Sequence, residues 1–274
     1  MDRDALLDGS TTVFLINGLV LNMLDIIDAY CHCGVNKYRP VQDVRDAMGR
    51  FNVTKAVLVQ HLGEYDNSYI EQVVSGAPEC FAGVLLVNMD DPRVAEQLDD
   101  WVAERVFRGI RLLASSLRTH PAVWDRAARL GLVLVVYDEP FLARYADDLA
   151  LFATVHPKTH LVLSHLGMPD VREAPGYTGQ RKILSLADQP NVFVQISGMH
   201  MFSQVPYPDL VPLVEQLVAT FGPERLVYGS NYPVMKNETV YQAERDLLCA
   251  GDLGIPRAAV EQVMCGTARR LWFD

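Results

Sequence analysis

The stretch Ile26–Gly34, IIDAYCHCG, decides how the chain is read. It is a short apolar strand, Asp25 to about Tyr30, that runs directly into ligand-type residues. Side chains alternate faces along a strand, so Tyr30 and His32 point the same way and Cys31 points the other. A polar pair at the carboxyl end of a buried strand is where parallel α/β proteins keep their chemistry. Alone, the stretch reads as a strand end with one satisfied histidine; the rest of the chain makes the difference.

Outward from it the pattern repeats. Apolar, β-branched runs occur at Lys55–Gln60 (KAVLVQ), Cys80–Val87 (CFAGVLLV), Phe107–Leu113 (FRGIRLL), Leu132–Tyr137 (LVLVVY), Thr159–Ser164 (THLVLS), Asn191–Ile196 (NVFVQI) and Arg225–Tyr228 (RLVY). Helical stretches separate them: VQDVRDAMGRF after Pro40, Glu64–Ser75, VAEQLDDWVAE after Asp91-Pro92, His120–Leu130, Phe141–Val155, Lys182–Asp188 and Pro208–Phe221, with two or three more closing the chain. About eight strands, each followed by a helix every 25–35 residues or so, is the rhythm of a single (β/α)8 TIM-type barrel. Continuous apolar strands fit a sheet covered on both faces. A doubly wound sheet is the alternative, but no glycine-rich phosphate loop follows the first strand.

The chain of 274 residues is long enough for one such domain, taken as 25–274. Residues 1–24 form an N-terminal extension. Its apolar run Thr11–Leu24 is too short and interrupted for a membrane span. It suits a hairpin turning at Asn17-Gly18 and covering the barrel bottom, although Met23 would also make a natural start. A net charge of −10 argues against nucleic acid and anionic membrane partners. Five cysteines in no framework suggest a reducing, cytoplasmic setting, with the thiols as packing residues. Cys31-His32-Cys33 lacks the second ligand pair that a structural zinc site needs.

The strand ends supply the candidate chemistry. In chain order they offer Tyr30 and His32; Gln60 and His61; Asn88 and Asp90; Arg111, with Arg118 beyond it; Tyr137, Asp138 and Glu139; His165; Gln195 and Ser197; and Ser230, Asn231 and Tyr232. Arg111 and Arg118 could each grip a substrate carboxylate; the alternative for each is a surface ion pair, and the strand position favours binding for Arg111. Gln195 sits inward and could bond substrate or a barrel neighbour. His61 reads as a solvated loop residue.

These residues carry a family likeness. IIDAYCHCG, AVLVQ followed by Asp66-Asn67, GIRLL, LSHLGMP, NVFVQISG, FGPERLVYGSNYPV and CGTARRLW appear in order from Asp25 to Phe273. The chain resembles the amidohydrolase-related group that contains 2-pyrone-4,6-dicarboxylate lactonase and the sugar-acid 1,4-lactonases. The resemblance implies a distorted (β/α)8 barrel and hydrolysis of a small lactone. It also exposes two departures. The family's first strand usually carries H-x-H, where this chain has Tyr30-Cys31-His32, and its last usually carries an aspartate, where this chain has Asn231. Only His32 and His165 of the four usual site positions remain.

In metal-dependent relatives, paired histidines and an aspartate hold a divalent metal that activates water. Tyr30 and Asn231 make a weak set, so the expectation is no metal and no cofactor, with zinc as the alternative. Asn231 cannot act as general base. The expected catalytic residues are His32, His165 and Asn231, with one histidine as base and the other polarising the carbonyl together with Asn231 and Tyr30. Tyr30, Gln60, Arg111, Tyr137 and Gln195 are expected to bind a small carboxylated or oxygen-rich substrate. A homo-oligomer is compatible with the sequence. Two other readings stay open: a decarboxylase or lyase in the same barrel, and a barrel that has lost catalysis and only binds a ligand.

Overall fold

The computed structural model describes residues 13–16, 19–22, 24–235 and 237–274. Strands β1 (Val13–Ile16) and β2 (Leu19–Asn22) pair antiparallel; the turn expected at Asn17-Gly18 lies outside the described residues. Next come β3 (Ile27–Cys31), α1 (Val41–Phe51), β4 (Lys55–Val59), α2 (Ser68–Gly76), β5 (Phe81–Leu85), α3 (Val94–Ala103) and β6 (Phe107–Leu113). Two short helices follow, α4 (Ser116–Thr119) and α5 (Pro121–Arg129). Then β7 (Val133–Tyr137), α6 (Ala146–Val155), β8 (Leu161–Leu163), α7 (Arg181–Ser185), β9 (Val192–Ser197), α8 (Val211–Phe221) and β10 (Leu226–Gly229) complete the alternation. The chain ends with α9 (Glu238–Ala250) and α10 (Thr267–Trp272). Among the described residues no helix is long and apolar enough to cross a membrane.

Strands β3 to β10 form one parallel eight-stranded sheet in sequence order, and β10 comes back beside β3 to close the barrel. The seam is held mainly by side chain and loop. Asn231 N–H donates to the Tyr30 carbonyl at 2.8 Å and His32 N–H to the Tyr232 carbonyl at 2.7 Å. Below them the Asp28 carboxylate, fully buried, accepts from Ser230 N–H at 2.8 Å, Ser230 Oγ at 2.5 Å and the Tyr241 hydroxyl at 3.1 Å. It thereby stands in for ladder bonds. The strands approach so closely that a Cβ on Gly229 would lie 2.6 Å from the Tyr30 Cβ, which only glycine permits.

A register shift in β3 between Asp28 and Cys31 turns both Ala29 and Tyr30 into the barrel. Two apolar layers result. Ile27, Val57, Val84, Val135, Val162 and Val227 fill the interior, while a larger layer packs between barrel and helices. Helix α1 shows how the outer layer forms: Val44, Ala47, Met48 and Phe51 recur at helical spacing and are buried. Asn52 then stops the helix in the left-handed conformation, its N–H returned to the Met48 carbonyl.

Candidate active site

The carboxyl mouth gathers Tyr30, His32, Arg111, His165 and Asn231. Tyr30 is the hub: its ring meets His32 edge-on at 5.1 Å and His165 edge-on at 4.9 Å, and the Arg111 guanidinium lies 5.8 Å from its centre. His32 stands one step above β3, with Nδ1 2.6 Å from the Val59 carbonyl oxygen. His165 follows the three-residue strand β8 and enters a short 3-10 turn at φ 52°. Its backbone N–H donates to Ser197 Oγ at 3.2 Å, and its Nδ1 lies 3.0 Å from the same oxygen. Asn231 holds φ 60°, and its amide donates to Met201 Sδ at 3.4 Å. Two site residues in the left-handed region, each costing of the order of 1 kcal/mol or more, are the kind of strain that clusters at functional sites.

Arg111 projects inward from β6. One guanidinium nitrogen donates to the Gln60 carbonyl at 3.3 Å, and the group also faces the Tyr137 ring at 5.1 Å. Among the described residues no carboxylate lies within salt-bridge distance of it, and its Nε has no hydrogen-bond partner. The Tyr30 hydroxyl is likewise unpartnered. His32 and His165 are each 2% exposed, Asn231 3% and Arg111 6%, so bulk water scarcely reaches the group. Tyr38 supplies much of the cover, its ring stacked on His32 at 4.9 Å and edge-on to His61 at 5.1 Å. Cavities of about 620 and 260 Å³ flank the loop that carries it, one lined by Lys37, Tyr38 and Tyr232, the other by Cys33, Gly34 and His61.

Burial sets the protonation states. It lowers the His32 pKa to about 3, with the Arg111 charge pushing the same way. His165 falls well below the usual histidine range, first by burial and then by Arg111 and His32. Both rings are therefore neutral. Burial also raises the Tyr30 phenol, against the opposing pull of Arg111, so it stays protonated.

The other rim residues divide. Tyr137 borders the site, its ring 5.8 Å from His165 and its hydroxyl bonded to Glu139. Gln60 turns its side chain into its own loop, donating to the Asp66 carbonyl and accepting from His61 N–H, and meets Arg111 only through its backbone. Gln195 lies deep in the barrel and donates to the Ala29 carbonyl at 3.0 Å. Asp138 accepts from Ser115 N–H at 2.6 Å. Arg118 forms an exposed ion pair with Asp148 at 2.6 Å. His61, read from sequence as solvated, is buried instead, because the Gly34–Arg39 loop folds over it. Tyr38 and Met201 were invisible in the strand-end pattern, since both sit on connecting loops. Cys31 and Cys33 are buried thiols, Cys33 pushed up to about 12 by burial.

A divalent cation does not fit this donor set. Two imidazoles are available, but Tyr30 stays protonated and Asn231 brings an uncharged amide. The Arg111 charge acts on both rings and opposes a second cation. Among the described residues, no three His, Cys, Asp or Glu side chains are placed to hold a metal.

A parallel barrel whose polar groups converge at the carboxyl mouth belongs to the α/β-barrel class that keeps its binding sites there. Within that class the chain belongs to the amidohydrolase family, whose profile matches residues 33–273. It is 26% identical to L-fucono-1,5-lactonase of Burkholderia ambifaria over 204 residues, 71% of this chain and 70% of that protein. A candidate 2-pyrone-4,6-dicarboxylic acid hydrolase from Pseudomonas putida superposes with a TM-score of 0.75 at 22% identity, covering 91% of this chain and 97% of that one. An amidohydrolase from Burkholderia multivorans with bound zinc gives 0.72 at 20% identity, covering 90% and 98%. The likeness to these two structures is one of fold.

Proposed function

We propose that this protein is a metal-independent hydrolase of small lactones or related cyclic esters that carry a carboxylate. The observation that carries the reading is Arg111, a buried cation with no carboxylate partner among the described residues, facing two neutral histidines. The lactonase from Burkholderia ambifaria supports the bond type.

Arg111 binds the substrate carboxylate and fixes the acyl carbon beside the histidines. One histidine takes a proton from water. The other, with Tyr30 and the Asn231 amide, donates to the carbonyl oxygen as it gains charge. Asn231 contributes by hydrogen bonding alone. Arg111 is one cause of the depressed histidine pKa values. Burial is the larger cause for both rings, and a carboxylate on Arg111 screens only the second, electrostatic one. Tyr38, stacked on His32 at 4.9 Å, covers that ring and limits the access of bulk water.

The test pairs plasma mass spectrometry on protein purified without chelator with a hydrolysis screen of aldonolactones and pyrone carboxylates. Turnover without stoichiometric metal supports the reading. Stoichiometric zinc or manganese overturns the metal-free mechanism, and no turnover across the panel overturns the lactone assignment.

A further inference from the structure

Two neutral imidazoles can play different parts, and the part depends on which ring nitrogen keeps its proton. For His32 the partner decides. Nδ1 lies 2.6 Å from the Val59 carbonyl oxygen. A carbonyl only accepts, so Nδ1 carries the hydrogen and Nε2 keeps the lone pair. For His165 the partner is the Ser197 hydroxyl, 3.0 Å from Nδ1, which can donate or accept.

The hydroxyl's second bond resolves this. Ser197 Oγ already accepts the His165 backbone N–H, and Ser197 is 0% exposed. Among the described residues it makes no hydrogen bond beyond these two. If Nδ1–H also donated to it, the hydroxyl proton would be buried with no acceptor. Donation from Oγ to Nδ1 satisfies both the hydroxyl and Nδ1. The next residue protects this contact: Gly198 holds φ 62°, and a Cβ there would come 2.7 Å from His165 Nδ1.

We infer that Ser197 is a positioning residue that locks His165 with its proton on Nε2, while Val59 locks His32 with its proton on Nδ1, so the two rings enter the reaction in opposite roles. His165 is the donor and His32 the acceptor. The chemical consequence rests on the lactonase reading. The oxygen of water bonds to the acyl carbon as its proton passes to the His32 Nε2 lone pair. The carbonyl π pair moves onto oxygen and is held by His165 Nε2–H. On collapse the ring C–O bond breaks, and the departing oxygen takes the proton back from His32. One lactone and one water give one hydroxy acid, with no redox change.

The experiment is histidine-selective 15N labelling of the full chain and long-range proton–nitrogen correlation at neutral pH. His32→Gln and His165→Gln assign the signals. The expected spectrum shows His165 with an unprotonated Nδ1 and a protonated Nε2, and His32 with the reverse. In Ser197→Ala the His165 pattern shifts toward a mixture, and Ser197→Thr restores it. On any lactone that is hydrolysed, Ser197→Ala lowers kcat about 10- to 100-fold with KM little changed, and Ser197→Thr recovers it. A proton on His165 Nδ1 in the unaltered protein overturns the inference, whatever the turnover and whether or not the variants fold. The expected tautomers with no lactone turnover uphold the tautomer pair and sink the lactonase reading instead.

Discussion

Arg111 holds its charge on the inward face of β6 among the rings of Tyr30 and Tyr137. A buried cation without a counter-charge weakens a fold; even a buried ion pair replaced by apolar groups of similar size leaves stability unchanged or raises it by about 1–4 kcal/mol. Arg111→Met is therefore expected to raise the thermal midpoint while lowering kcat/KM on a carboxylated lactone about 10- to 100-fold, the worth of a charged hydrogen bond of about 1.5–3 kcal/mol. Calorimetry and kinetics on one preparation check both. A less stable variant with full activity would make Arg111 a structural residue. Positions 30 and 231 invite the converse change. Tyr30→His together with Asn231→Asp adds an imidazole and a carboxylate beside His32 and His165, completing a tetrahedral donor set. The double variant is expected to bind about one equivalent of zinc and each single variant far less, read by plasma mass spectrometry. Equal zinc uptake by the unaltered protein would show that Tyr30 and Asn231 do not set metal affinity.

At the scale of elements, the seam between β3 and β10 is held by a titrating group. Burial raises the Asp28 pKa from 3.8 to about 6, against the hydrogen bonds from Ser230, Tyr30 and Tyr241. The folded value lies above the unfolded one, so this contribution to stability is fully present below about pH 4 and is lost as pH rises through about 6. A shift of roughly two units corresponds to about 3 kcal/mol. Asp28→Asn removes the titration but keeps an oxygen to accept from the seam amides. The stability of the unaltered protein minus that of the variant, from denaturant midpoints, is expected to fall by about 2 kcal/mol between pH 4 and pH 7. A flat difference would mean that Asp28 does not ionise in that window. The seam also marks what sequence could convey. Runs such as LVLVVY announce strands because both faces are buried, and β6 falls on FRGIRLL with the same bounds in sequence and structure. Phe141–Val155, expected as one helix, divides into a 3-10 turn at Leu142–Tyr145 and α6, since the local pattern does not distinguish the two windings. His32, Arg111 and His165 stand out as strand-end residues. The bulge that turns Tyr30 inward, the Asp28 bridge and the Tyr38 cover depend on contacts between segments far apart in sequence, and no local pattern encodes them.

For the molecule as a whole, the barrel is finished at its two ends by different parts of the chain. The carboxyl mouth is covered by loops, Tyr38 among them, and keeps polar groups in reserve. The opposite end is closed by the last turns of the chain: Cys265, Ala268, Leu271 and Trp272 join the interior valines as one apolar cluster. Trp272 is 2% exposed and lies so close to β6 that a Cβ on Gly109 would come within 2.7 Å of its ring. Its indole Nε1 has no hydrogen-bond partner among the described residues, so its contribution is packing alone. Trp272→Ala opens a cavity under the barrel and is expected to cost about 3–5 kcal/mol. Trp272→Phe keeps most of the apolar volume and loses no hydrogen bond, so less than about 1.5 kcal/mol is expected. Chemical denaturation measures both, and the histidine tautomers at the mouth should be the same in both variants because the Val59 carbonyl and the Ser197 hydroxyl that hold the two rings lie at the other end of their strands. Equal losses for alanine and phenylalanine would mean that the indole nitrogen, rather than ring volume, holds the base of the barrel together.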